Sequence, residues 1–181
     1  MTNRKYDKIK RSIIKGNIVK RAFSWLLAGV LLFGITACGN GGSGKAVSIE
    51  GELTDIMSDI YANADLDSET REAMEGYITD TLTADNETAI LGVSDVPYIE
   101  SVYSIPMISA IAYQCVLLRV EPENVDQVKD MLLTNADPDK WICVSAETVL
   151  VENVGDLILF IMGGEDVSNA VSESFQTLGE G

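Results

Sequence analysis

Apolar and polar positions follow a different rhythm in each part of this chain. Residues 22–37 are almost continuously apolar, centred on Trp25 to Ile35. Residues 39–46 (GNGGSGKA) have no periodicity and read as a flexible linker, whose eight residues span about 16 Å r.m.s.. Leu53, Ile56, Met57 and Ile60 then recur at i, i+3, i+4 and i+7, which predicts a helix over 49–62 with Ser48 as N-cap. A second helix is expected over 68–78, interrupted by Gly76. Residues 79–98 are polar and read as loop, with one short strand at 89–93.

The second half is more strongly patterned. Residues 111–120 (IAYQCVLLRV) are apolar nearly throughout and predict an interior strand. Val125, Val128, Met131 and Leu132 give helical spacing over 123–135, stopped by Asp137-Pro138. Residues 141–146 and 148–153 read as one strand bulged at Glu147, and Gly155-Asp156 as a turn. Leu157 to Met162 form a second fully apolar strand. A final helix over 166–178 is expected to bury Val167, Ala170, Val171, Phe175 and Leu178.

This order predicts an α+β fold. A right-handed crossover makes the first two strands parallel, and the hairpin returns the third antiparallel between them. The expected sheet is a split β-α-β, half of a ferredoxin-like sheet, mixed, with about three strands and helices on one face. In that order Cys115 and Cys143 lie about 9–10 Å apart. A disulfide needs Cα atoms within roughly 7 Å, so none is expected between them.

Charge divides the chain sharply. Residues 1–37 hold eight of the 13 basic residues and one of the 28 acidic ones, a local net of +7, which leaves about −22 on the remainder. The basic stretch precedes an apolar run of 16 residues, short of the roughly 20 that a spanning helix needs. The run ends in Ile35-Thr36-Ala37-Cys38, followed by glycine and asparagine. This segment resembles the lipobox of bacterial lipoprotein signal peptides, with basic, apolar and small-residue regions in order. The resemblance implies cleavage between Ala37 and Cys38 and a diacylglyceryl group on the Cys38 thiol. Residues 1–37 would be the signal peptide and 38–47 the lipidated cysteine and linker. Residues 48–181 would be one domain on the outer face of the cell membrane. The alternative is an uncleaved anchor, and positive charge before the apolar run gives the same orientation.

The strongly acidic remainder disfavours nucleic acid and anionic lipid as partners and favours cations or basic protein surfaces. The chain has no histidine, which excludes Ser-His-Asp and Cys-His catalysis and most zinc sites. No phosphate-binding or dinucleotide fingerprint is present. Asp126 and Asp130 share a helix face, where solvated charge is the ordinary role. Asp65-Leu66-Asp67-Ser68-Glu69 opens like a calcium loop, but the glycine and glutamate it requires are replaced by Thr70 and Gly76. No cofactor, metal or catalytic residue is therefore expected. Trp141, with Lys140 and Asp137, is the candidate partner-binding group, because tryptophan concentrates at binding hot spots. The alternative for Trp141 is a core residue capping the sheet's end. Tyr98 and Tyr103 carry the same two readings.

The segments PMISAIAY at 106–113, DPDKWICV at 137–144 and GDLILFIM at 155–162 resemble a family of small lipoproteins from Gram-positive, clostridia-type bacteria, built on a domain of unknown function. The resemblance covers roughly residues 49–178 and implies the same envelope location without an activity. Asp139 stands where a basic residue is expected. The expected function is a non-enzymatic protein-interaction module of the cell envelope. The alternative is an accessory lipoprotein that binds a small ligand or cation.

Overall fold

The computed structural model describes residues 48–180, so the segments read as signal peptide and linker, with Ala37 and Cys38, lie outside the described residues. Residues 46–181 form a compact unit of their own. In chain order the elements are α1 (Leu53–Asn63), α2 (Ser68–Glu75), β1 (Ile78–Asp80), α3 (Glu87–Leu91), β2 (Glu100–Ile105), β3 (Gln114–Arg119), α4 (Val125–Asn135), β4 (Thr148–Val154), β5 (Leu157–Gly163) and α5 (Glu165–Gln176). Short 3-10 turns precede α4 and follow α5. Among the described residues no helix is long and apolar enough to cross a membrane.

The sheet has five strands in the order β1-β2-β3-β5-β4, and every hydrogen-bonded neighbour is antiparallel. This corrects the expected three-stranded half-ferredoxin sheet, while the α+β class fits. The extra strands carry little apolar signal. β1 is exposed at all three positions and is held by its pairing with β2. β2 reads Glu-Ser-Val-Tyr-Ser-Ile, and its serines are buried. The Ser101 hydroxyl accepts a hydrogen bond from the Leu82 amide at 3.1 Å, which lets a polar residue sit inside.

Helices cover both faces of the sheet, not one. Alternate residues of β3 and β5 enter two separate cores. Val116, Leu118, Ile158, Phe160 and Met162 pack with Val125, Val128 and Leu132 of α4 and Ile90 and Leu91 of α3. Cys115, Leu117, Leu157, Leu159 and Ile161 pack with α1, Met74 of α2, and Val171 and Phe175 of α5. Both cores are needed because β5 is buried at all seven positions, and a strand apolar on both sides must be covered on both. Burial of Leu53, Ile56, Met57 and Ile60 stabilises α1 by roughly 1.5–3 kcal/mol per side chain. That outweighs the weak intrinsic stability of an 11-residue helix.

Other expectations shift locally. Ser48 is not an N-cap: its hydroxyl donates to Asp156 Oδ2 at 3.0 Å, and α1 starts beyond Glu52. The short strand expected at 89–93 is replaced by α3, which ends on Gly92 at φ 79°. No strand forms over 141–146, because Cys143 lies at φ 64°, in the left-handed region that a pleated strand excludes. Cys115 is buried in the sheet, Cys143 is exposed in this loop, and both thiols are free.

Gly92 also lets α3 approach the end of α4. A Cβ there would lie 2.2 Å from the Asn135 carbonyl oxygen. Gly92→Ala combines this clash with the left-handed penalty and should cost about 3 kcal/mol or more. Urea unfolding of the two proteins checks this, and a loss under about 1 kcal/mol would mean that the α3–α4 junction yields easily.

Candidate functional site

The two ends of the sheet do different things. At one end Arg119, the last residue of β3, fastens the start of the described chain. Its guanidinium pairs with Glu100 at 3.0 Å and Asp156 at 3.9 Å, and donates to the carbonyls of Ile49 and Gly51. Asp156 in the β4–β5 turn accepts from the Ser48 hydroxyl and the Ile49 amide. Residues 48–51 are thereby fixed at the turn end.

At the opposite end lie the β2–β3 loop (106–113), the α4–β4 loop (136–147) and the β5–α5 junction. Strand register places Ile105, Gln114, Met162, Gly163 and Thr148 together there. The exposed large apolar residues are Ile78, Ile99, Met107, Ile108, Ile111 and Ile142, and all of them except Ile99 belong to this loop end. Met107 and Ile142 are more than 70% exposed, too open to serve a core. Singly exposed apolar residues are ordinary, but five of the six here fall at one end of the sheet.

Gln114 and Lys140 hold this end together. The Gln114 side-chain amide donates to the Ile90 carbonyl at 3.0 Å. The Lys140 ammonium donates to the carbonyls of Ala89 and Ile90 and to Gln114 Oε1. Three acceptors take its three donors, and it also lies 5.3 Å from the Trp141 ring centre. Lys140 therefore clamps the α4–β4 loop onto α3 and β3, so its charge faces inward. Trp141 is half-buried, with its ring packed against the core beside Lys140. Asp137 is exposed and accepts from the Asp139 amide at 3.0 Å, which closes the turn entering the loop. These three residues are thus brought together, with Asp137 and part of Trp141 facing solvent.

No family model, curated protein or solved structure matches this chain.

The apolar residues of the β2–β3 loop were not among the predicted site residues. Their signal was Met107-Ile108 directly after Pro106, apolar residues where a turn calls for polar ones. The apolar run at 141–146 predicts a strand for Ile142, and no strand forms there.

The remaining candidates find structural roles. Asp67 caps α2: its carboxylate accepts from the Glu69 and Thr70 amides and from the Thr70 hydroxyl. The Thr70 hydroxyl and amide bonds hold the Asp67 carboxyl below its ordinary range. Among the described residues no group of three acidic or thiol side chains is arranged to hold a metal. Asp126 and Asp130 are exposed, Tyr103 is buried, and Tyr98 is half-buried against the core. A second buried group joins α1 to β3: Tyr113 donates to the Tyr61 hydroxyl at 3.1 Å, with Cys115 nearby. Burial raises both phenols and pushes the Cys115 thiol up to about 12, so these groups stay protonated and unreactive.

Two measurements follow from this environment. A disulfide-exchange reagent should label Cys143 within seconds in residues 46–181 and leave Cys115 unlabelled until unfolding; equal rates would place Cys115 at the surface. Burial also lowers Lys140 to about 8, with Asp137 opposing. Between about 8 and 10.5 the unfolded chain holds the extra proton, so this contribution to stability rises with pH. Wild type should therefore gain on Lys140→Met across that window. A difference between the two that is flat with pH would show that Lys140 stays charged throughout.

Proposed function

We propose that this chain is a lipid-anchored protein of the cell envelope whose folded domain binds another protein, without catalysis, through the loop end of its sheet. The Ile35-Thr36-Ala37-Cys38 motif and the basic-then-apolar pattern before it support the anchor on Cys38. The resemblance to small clostridia-type lipoproteins supports the same location. The observation that carries the binding reading is the concentration of exposed apolar side chains at the loop end, opposite the clamp on residues 48–51. The seven residues of β5 separate the two ends by about 20 Å, so a tether leaving Ser48 starts at the end away from this surface.

A photoreactive residue at position 142, illuminated in intact cells, should give one defined protein adduct. The same residue at position 99, at the turn end, should give none, and Cys38→Ala should abolish the adduct from 142. Equal crosslinking from both positions, or an adduct indifferent to Cys38, would refute this reading.

A cleft of about 360 Å³ at the start of α1, lined by the apolar Leu53, Leu82, Ile99 and Val102 as well as by Glu52 and Glu100, favours a second reading as a small-ligand or cation receptor. A ligand of that site at 100 times its Kd would add about 2.7 kcal/mol of stability.

A further inference from the structure

Electrostatics narrows what can dock at the loop end. Of the 28 carboxylates all except Asp7 fall within residues 48–180, whereas Arg71, Arg119, Lys129 and Lys140 are the only basic residues there. Each of the four is committed inside the domain. Arg71 donates to the carbonyls of Tyr61, Ala62 and Ala64 at the end of α1. Lys129 donates to Asn153 Oδ1 at 2.6 Å. Lys140 is occupied by three oxygens, and Arg119 pairs with Glu100 and Asp156. Among the described residues no other ion pair forms, so the remaining carboxylates have no cation of their own, and most of them are exposed.

Several of these carboxylates border the apolar residues. Asp137 and Asp139 open the α4–β4 loop, Glu147 closes it, and Glu165 and Asp166 begin α5 directly after β5; all are exposed. The Glu147 amide donates to the Gly163 carbonyl and its carboxylate accepts from the Glu165 amide, which joins the end of the α4–β4 loop to the start of α5. Exposed apolar side chains and carboxylates without a cation thus share this end of the sheet.

Resting on the binding reading above, we infer that the loop end docks a cationic amphipathic protein segment. Its apolar side chains sit on Met107, Ile108, Ile111 and Ile142, and its lysines or arginines meet the acidic border. Charge complementarity selects this occupant. A second copy would set two acidic borders against each other, and an anionic bilayer would meet the same repulsion.

The test uses residues 46–181 and a labelled Leu/Lys peptide of about 14 residues, roughly 20 Å of helix. Trp141 is the only tryptophan of that unit and reports contact through its fluorescence. The peptide should bind and perturb Trp141, whereas its Leu/Glu and Ser/Lys counterparts should not. Replacing Met107, Ile108 and Ile142 by serine should weaken binding about tenfold, because exposed anchors carry the affinity. Asp137→Asn with Asp139→Asn and Glu165→Gln should weaken it about threefold, an effect that salt also produces. Neutralising Glu121, Glu123 and Asp126, at the other end, should leave it unchanged. Absence of Leu/Lys binding, equal loss from the distant neutralisation, or indifference to the serine substitutions would overturn the inference. So would a dimer in sedimentation that Ile142→Ser dissolves, or binding to anionic vesicles. An adduct at position 142 in cells with no Leu/Lys binding would overturn the cationic chemistry alone, whereas loss of both would overturn the binding reading as well.

Discussion

Burial of β3 and β5 on both faces is the constraint on which the rest of the structure depends. Cys115 to Leu118 of β3 and all seven residues of β5 are buried and have no solvent side, so two helical layers must form, one from α3 and α4 and one from α1, α2 and α5. Both strands must also be central, which places β2 and β4 beside them and leaves the edges to β1 and β4. A domain this size can build two cores because the sheet supplies half of each.

The same constraint governs the polar groups. Gln114 enters the sheet beside Met162, and its amide has to be satisfied where water is excluded. The Ile90 carbonyl and the Lys140 ammonium do this, which ties β3, α3 and the α4–β4 loop into one junction. Arg119 does the corresponding work at the opposite end of β3 for residues 49 and 51. The few cations thus serve as internal staples, and the surface is left to carboxylates. An anionic surface with an apolar loop end is the chemical consequence.

Legibility followed the strength of the apolar pattern. The faces of α1 and α4, the turn at Gly155-Asp156 and the interior character of β3 and β5 were readable, because each buries side chains at a regular period. β1 and β2 were not, since one is fully exposed and the other buries two serines, of which Ser101 finds its partner 19 residues away in Leu82. The loop at 141–146 was misread because Trp-Ile-Cys-Val has the composition of a strand, while its backbone turns at Cys143 to bring Lys140 inward. Of the candidate site, Trp141, Lys140 and Asp137 could be named from sequence, but not the direction in which each points.

By itself the sequence determined the charge imbalance, the lack of histidine, the likeness of residues 35–38 to a lipobox and the two strands that demand an interior, because these are properties of composition and short-range order. Tertiary structure alone decided that helices cover both faces, that Lys140 is consumed by main-chain and amide oxygens, and that Met107, Ile108, Ile111 and Ile142 gather at the end opposite residue 48. Those outcomes depend on contacts between residues far apart in the chain, and no local pattern encodes which distant partner will fill a given donor or cover a given face.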